Sequence, residues 1–272
     1  MTWASSSIQN LRRVFMEGFA ARDIAESLLS FDASTSATEV RRIMEKRDFD
    51  AVGVRQDGCV VGYAERGDLD GVACGERIRP FEEPLLISDS APLAEVVLGL
   101  AKSPRLFVRV LGAVGGIVTT SDLQKPPVRM WLFGMITFIE MRISRLIERM
   151  CPGESWKQHV SEGRLQKAEA LLEERRRRNQ SLGLIDCLQF SDKGQIIARN
   201  EEIRSLTRFT SRRQMEEAIK ALESLRNNLA HSQDILACDW ETIVVLCRDL
   251  EGVIEGTAQV QQVLEGKPTG PA

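Results

Sequence analysis

The sequence predicts a protein with an α+β first part and an all-helical second part. Short runs rich in β-branched residues alternate with helical patterns between residues 21 and 123. From residue 127 onward, apolar residues recur with the period of amphipathic helices. Pro126 and Pro127 mark the change between the two patterns. The chain has 272 residues, enough for two domains of about 100 to 150 residues each.

We therefore expect four regions along the chain. An N-terminal segment covers residues 1–19, and the α+β domain covers residues 20–126. The helical domain covers residues 127–264, and a flexible tail is expected at residues 265–272.

The composition excludes several kinds of site. Six cysteines are scattered without a Cys-x-x-Cys pair, which is typical of reduced cytosolic thiols rather than a disulfide framework or a zinc site. Only two histidines, His159 and His231, are present, so a histidine-rich metal centre is excluded. The formal net charge of −3 gives no global positive field, so any surface for nucleic acid has to be a local patch. We expect chemistry without a metal.

Neither secretion nor membrane insertion is expected from the sequence. Residues 1–10 contain neither a basic start nor an apolar run, so no signal peptide is predicted. The longest apolar stretch, residues 130–139, is too short to cross a bilayer and is interrupted by Gly134. We therefore expect a cytoplasmic protein with no membrane partner.

The α+β domain contains an internal repeat, with copies at about residues 36–69 and 92–123. Each copy has a helical stretch, a short strand, a glycine turn, a second strand and a polar turn that ends in Asp-Leu. Three pairs of equivalent residues are 54 positions apart: Gly58 and Gly112, Gly62 and Gly116, Asp68 and Asp122. Such a repeat predicts pseudo-twofold packing with a cleft between the copies, where ligands tend to bind.

The helices of the two copies are farther apart in the sequence than the strands that follow them. Glu39 and Glu95 are 56 positions apart, two more than the pairs that follow the first strand. We expect this two-residue difference in length at the link from helix to strand, where residues 48–50 of the first copy correspond to residues 104–105 of the second.

The signature Gly116-Ile-Val-Thr-Thr-Ser-Asp-Leu123 and its repeat resemble a tandem CBS-domain pair, over about residues 20–125. The resemblance implies two β-α-β-β-α modules and an adenine nucleotide, such as AMP, ADP or ATP, as a regulatory ligand. It also implies that Asp122 binds the ribose hydroxyls while Thr119 lies near the phosphates, and that Asp68 has the same role in the first copy. A carboxylate suits a ribose because it accepts hydrogen bonds from the hydroxyl groups.

The second copy is the stronger candidate for this ligand. The first copy carries Glu65 where the hydroxyl residue is expected, and a carboxylate there repels phosphate. Arginines are candidates to face the phosphates: Arg41, Arg42, Arg66, Arg105 and Arg109. An alternative stays open, in which Thr119 and Asp122 do no more than cap the helix that follows.

The second part of the chain is predicted to form an antiparallel helical bundle. Its helical patterns are separated by short breaks, and a short apolar turn or helix interrupts the series. The predicted elements cover residues 128–150, 155–179, 184–190, 194–208, 211–231 and 239–264.

The spacing Arg226-Asn227-x-x-x-His231 on the penultimate long helix resembles the HEPN superfamily, over about residues 128–264. The resemblance implies a helical bundle with a metal-independent endoribonuclease site at a dimer interface. Its product is a 2′,3′-cyclic phosphate, and no cofactor is needed for catalysis. The residue types suit this chemistry, because imidazole titrates near neutrality and a guanidinium group matches phosphate oxygens. An ordinary helix C-terminus with cationic side chains remains an alternative.

Two further predictions concern the partners of the helical domain. His159 is expected at the surface, so two proton-transfer groups at one site require His231 from each chain of a homodimer. Four consecutive arginines are the best local candidates for RNA backbone contact, although such a run is usually solvated: Arg175, Arg176, Arg177 and Arg178.

The sequence thus predicts a ligand-regulated ribonuclease, either toxin-like or a stress effector. A toxin-like role implies an antidote protein, whose identity the sequence does not give. The main alternative is a non-catalytic adaptor that senses a nucleotide and binds RNA or dimerises. A third hypothesis is a helical domain that binds nucleotide with no RNA involved.

Overall fold

The computed structural model describes residues 13–14, 17–205, 209, 211–231, 233–237 and 239–247. The predicted tail lies outside these residues, as do most of the N-terminal segment and the end of the last predicted helix. The chain forms two compact units that meet in sequence between Met130 and Trp131, whereas the sequence places the boundary after Pro126.

The first unit contains the predicted repeat, preceded by strand β1 (Glu26–Ser27). The elements of the first copy are β2 (Ser30–Asp32), α1 (Ala37–Arg47), β3 (Ala51–Gln56) and β4 (Cys59–Glu65). The elements of the second copy are β5 (Leu86–Ser88), α2 (Leu93–Leu100), β6 (Arg105–Val110) and β7 (Ala113–Thr119).

The two copies pair their strands in the same way. One sheet has the order β2-β3-β4 and the other β1-β7-β6-β5. In each, the first strand of the copy is parallel to the second, and the last two form an antiparallel hairpin. The register shifts between Val54 and Arg55 in one hairpin and between Val108 and Arg109 in the other, again 54 positions apart. The predicted internal repeat is therefore confirmed.

The hairpin turns explain the paired glycines. Gly58 and Gly112 have φ angles of 79° and 85°, and the residues before them, Asp57 and Leu111, have a φ of 51° each. A two-residue turn with two positive φ angles matches the twist of the flanking strands, and glycine adopts it without steric cost.

The length difference between the copies lies mainly in the helices, not in the link as predicted. Helix α1 has 11 residues and α2 has 8. The link to the next strand has three residues in the first copy, 48–50, and four in the second, 101–104. In the first copy, the shorter link therefore compensates for part of the extra length of the helix.

The first copy lacks the closing α-helix that a β-α-β-β-α module has, which corrects this part of the prediction. Short 3₁₀ helices follow β4 instead, at Arg66–Asp68, Cys74–Arg77 and Glu83–Leu85. Glycine costs about 1 kcal/mol in a helix interior and proline about 3 kcal/mol, so this segment cannot form a stable α-helix. Its glycines and prolines are Gly67, Gly71, Gly75, Pro80 and Pro84.

Three aromatic rings pack together inside the first unit. Phe107 on β6 is fully buried, and its ring centroid lies 4.7 Å from that of Tyr63 on β4 and 4.8 Å from that of Phe81. Tyr63 and Phe81 are stacked, with centroids 5.8 Å apart. Since β4 belongs to the first copy and β6 to the second, this aromatic trio joins the two copies.

The described part of the second unit is helical, and the boundary between the units falls inside α3. Its α-helices are α3 (Pro126–Met150), α4 (Glu162–Arg177), α5 (Phe190–Arg199), α6 (Glu201–Ser205) and α7 (Arg212–Ala230). The 3₁₀ helices Pro152–His159 and Leu184–Cys187 separate some of them, and residues 235–237 and 239–247 are also helical.

Two predicted helices differ from the structure. The pattern at 155–179 divides into a 3₁₀ helix that ends at His159 and α4. The pattern at 194–208 begins earlier, at Phe190, and breaks at Asn200. The side-chain oxygen of Asn200 accepts a hydrogen bond from the backbone N–H of Ile203 at 3.0 Å, so Asn200 starts α6 as a cap.

Helices α5 and α7 approach each other closely at Gly194. A Cβ atom on Gly194 would lie 2.3 Å from Cγ2 of Ile219, so the contact requires glycine. Both helices contribute to one buried cluster, which also contains Phe190, Ile197 and Met215.

No helix within the described ranges is both long and apolar enough to cross a membrane. The same residues contain no group of three or more His, Cys, Asp or Glu side chains that could hold a metal ion.

Candidate functional site

Thr119 and Asp122 form a closed turn at the end of β7. One carboxylate oxygen of Asp122 accepts hydrogen bonds from the backbone N–H of Thr119 at 2.7 Å and from its hydroxyl at 2.9 Å. The Thr119 hydroxyl also lies 2.8 Å from the hydroxyl of Ser121. Asp122 is only 7% exposed. The capping interaction considered as an alternative is therefore present.

Lys125 holds the other oxygen of Asp122, a partner that sequence reasoning missed. Its ammonium group lies 2.9 Å from that oxygen and donates to the backbone oxygen of Ile24 at 2.6 Å and to Glu26. Burial works against the charge of Lys125, but the hydrogen bonds to Asp122 and Glu26 outweigh it, so its pKa is raised. The spacing of three residues from Asp122 is the only signal that the sequence carries for this contact.

The equivalent residues of the first copy are held by arginines. Asp68 is paired with Arg79 at 2.5 Å, and Glu65 lies 3.3 Å from the same guanidinium group. Arg79 exchanges backbone hydrogen bonds with Tyr63 of β4, which fixes it beside this strand. Asp68 therefore has a guanidinium group as its partner within the chain, whereas Asp122 has the ammonium group of Lys125.

The second partner of Glu65 comes from the other copy. Arg105, at the start of β6, lies 2.5 Å from Glu65 and is 16% exposed at its side chain. In the strand register, Arg105 is directly opposite Thr119, and Ala51 is opposite Glu65. These four residues therefore lie together where the two hairpins meet.

Arg105 is the arginine candidate that bridges the two copies. Arg41 pairs with Glu45 one helical turn away, and Arg109 pairs with Glu83 at 2.9 Å. Arg66 pairs with acidic residues that follow α1, namely Asp48 and Asp50. Arg42 is exposed on α1.

In the second unit, Arg226 on α7 is directed toward α3. Its guanidinium group lies 3.5 Å from Glu140, whose other carboxylate oxygen lies 2.9 Å from the ammonium group of Lys193 on α5. The side chain of Lys193 is 5% exposed and that of Glu140 is 25% exposed. Glu140 therefore neutralises a buried cation and positions Arg226 at the same time, a role that sequence reasoning missed.

Asn227 and His231 remain on the exposed face of α7. His231 is the C-cap, and its backbone N–H donates to the carbonyl of Asn227 at 3.0 Å. Both residues are exposed, and residues four apart share a helix face. The structure brings these two together, while the guanidinium group of Arg226 engages Glu140. The neighbouring Asn228 donates to the buried Asp239 at 2.7 Å.

The arginine run lies at the end of α4 and is partly neutralised. Arg177 pairs with Glu173 at 3.3 Å, and Arg178 pairs with Glu174 at 2.5 Å. Arg176 is exposed and Arg175 half-buried. Exposed ion pairs of this kind contribute little to stability. The run is a solvated surface that still carries excess positive charge, because its four arginines outnumber the two paired glutamates.

His159 lies at the end of the 3₁₀ helix before α4 and is half-buried. Its backbone carbonyl accepts a hydrogen bond from Arg199 at 2.8 Å.

No protein-family model matches the chain, and no curated protein matches it. Solved structures of CBS-domain pairs are similar to part of it. CBSX2 from Arabidopsis thaliana is 21% identical over 39% of this chain and 91% of its own, with a TM-score of 0.34. CBSX2 in complex with AMP is 23% identical over 39% and 93%, with a TM-score of 0.35. The CBS domain of a bacterial CNNM/CorC family Mg²⁺ transporter in complex with ATP is 15% identical over 46% and 96%, with a TM-score of 0.35.

Proposed function

We propose that the first unit is a regulatory module that binds an adenine nucleotide beside Thr119 and Asp122. The observation that carries the proposal is the difference between the two copies. The acidic residues of the first copy are paired with arginines, whereas Asp122 is held in a fixed orientation beside a hydroxyl residue and a single lysine.

The bonds that hold Asp122 leave capacity for a ribose. Each carboxylate oxygen has two lone pairs, and the oxygen near Lys125 has that lysine as its partner. Lys125 keeps two other acceptors, Ile24 and Glu26, if a ribose hydroxyl takes part of its place. The cap on Thr119 uses the other oxygen, so capping and ligand binding are compatible.

Replacing Asp122 with asparagine is expected to weaken the binding of AMP by about tenfold or more, because a hydrogen bond to a charged acceptor is lost. Isothermal titration calorimetry with AMP, ADP and ATP measures the effect. Asp23→Asn is the matched control, because Asp23 accepts from the backbone N–H of Ala20 at 2.7 Å, the same cap that Asp122 makes on Thr119. Equal affinity in wild type and Asp122→Asn contradicts the site.

A second candidate function concerns the helical unit, which we propose cleaves RNA without a metal as a homodimer. The supporting observation is the exposure of Asn227 and His231 on one face at the end of α7. An exposed imidazole can move the proton of a ribose 2′-hydroxyl, and Arg226 can counter phosphorane charge once it turns from Glu140. Arg175 and Arg176 offer contacts to the RNA backbone.

Replacing His231 with alanine is expected to lower the rate of RNA cleavage about a hundredfold or more, because proton transfer contributes that much. The assay uses EDTA and detects 2′,3′-cyclic phosphate ends. His159→Ala is the matched control, because it removes the other histidine of the chain. Full activity in His231→Ala excludes the site. A wild-type protein that binds RNA without cleaving it favours the non-catalytic adaptor, and an active protein that sediments as a monomer excludes a dimeric site.

A further inference from the structure

An ion pair between Glu65 and Arg105 joins the two copies of the repeat. The carboxylate belongs to the end of β4 in the first copy, and the guanidinium group to the start of β6 in the second. Glu65 occupies the position that Thr119 occupies in the second copy, 54 residues later. At the position equivalent to Arg105 the first copy has Ala51, which cannot form the reciprocal pair.

The strand register places Arg105 beside the proposed nucleotide site. Arg105 and Thr119 are directly opposite each other in the β6–β7 hairpin. Opposed residues in an antiparallel pair project to the same face of the sheet, with Cβ atoms about 5 Å apart. The long side chain of Arg105 can therefore reach an anion at the Thr119 hydroxyl without any movement of the strands.

Glu65 can release Arg105 without losing charge compensation. The second oxygen of Glu65 lies 3.3 Å from Arg79, and this guanidinium group also holds Asp68 at 2.5 Å. If Arg105 turns away, Glu65 still faces a cation. Arg105 can therefore exchange Glu65 for another anion, because Arg79 still compensates the negative charges of Glu65 and Asp68.

We infer that Arg105 is the phosphate-binding residue of the second-copy site and that Glu65 holds it when no nucleotide is bound. The inference rests on the proposed nucleotide-binding function. A phosphate group is matched by the planar fork of a guanidinium group and carries more charge than a carboxylate, so it replaces Glu65 as the partner. Binding of the phosphate then breaks the ion pair between Glu65 and Arg105, so the ligand changes a contact between the two copies.

The test compares AMP with adenosine, which lacks the phosphate. Calorimetry on Arg105→Gln is expected to show AMP binding weakened about tenfold and adenosine binding unchanged. Glu65→Gln is expected to strengthen AMP binding severalfold, again with no effect on adenosine, because the competing carboxylate loses its charge. Arg55→Gln is the control, because Arg55 lies on β3, the equivalent strand of the first copy, and pairs with Asp32.

The outcomes separate this inference from the nucleotide site itself. AMP affinity that is the same in wild type and in both variants overturns the role of Arg105 while the site stands. AMP binding by Glu65→Gln but not by wild type supports the competition and removes nucleotide sensing as the function of the natural protein. If neither protein binds AMP, both proposals fail. Circular dichroism of each variant checks that the fold is retained.

Discussion

Replacing Glu140 with alanine is expected to lower the free energy of unfolding of the second unit by about 3 to 5 kcal/mol. The loss leaves Lys193 as a buried cation, 5% exposed, without the carboxylate that lies 2.9 Å from it. Arg226 loses its partner as well, but this side chain is 38% exposed and water can solvate it. Urea unfolding followed by tryptophan emission measures the effect, because three of the four tryptophans, Trp131, Trp156 and Trp240, belong to this unit.

A second substitution shows whether the buried charge is the cause. Adding Lys193→Met to Glu140→Ala is expected to recover most of the lost stability, because the uncompensated cation is replaced by an apolar side chain of similar length. Glu217→Ala removes a carboxylate from an exposed pair with Arg213 and should leave the unfolding midpoint nearly unchanged. A double variant as unstable as Glu140→Ala alone contradicts this explanation.

Replacing Phe107 with alanine is expected to destabilise the first unit by about 3 to 5 kcal/mol, the usual range for an aromatic residue removed from a core. The ring is fully buried and contacts both Tyr63 and Phe81, so its loss opens a cavity between the two copies. Hydrogen exchange measured by mass spectrometry on peptides from β6 and β7 reports on this unit separately from the helical one.

An exposed phenylalanine in the same unit is the control for this prediction. Phe49, in the link between α1 and β3, is 37% exposed. Phe49→Ala should therefore change exchange protection much less than Phe107→Ala. Equal effects of the two substitutions exclude the aromatic trio as the main contact between the copies.

The repeat was predictable because its signals are local. An Asp-Gly or Leu-Gly turn between apolar runs marks each hairpin, and the constant spacing of 54 residues reveals the second copy. Strands β1, β2 and β5 were not found from the residue pattern, since two or three residues are too few to show alternation. They are defined by pairing with strands elsewhere in the chain.

The sequence named the candidate residues, but not most of their partners in the structure. Thr119 and Asp122 were named because they belong to a local signature, residues 116–123, that resembles a CBS-domain pair. Arg105 and Glu65 are 40 residues apart, and Arg226 and Glu140 are 86 apart. No periodicity predicts which charges meet over such separations, because the meeting is decided by how the elements pack.

Tyr63 is the single tyrosine of the chain, and it lies in the aromatic trio that joins the two copies. Biosynthetic replacement of tyrosine with fluorotyrosine therefore labels one position, and the fluorine spectrum contains one protein resonance. Ring stacking makes its chemical shift sensitive to the distance and tilt of Phe81 and Phe107. One unassigned spectrum, recorded during a nucleotide titration, would thus report directly on rearrangement between the copies.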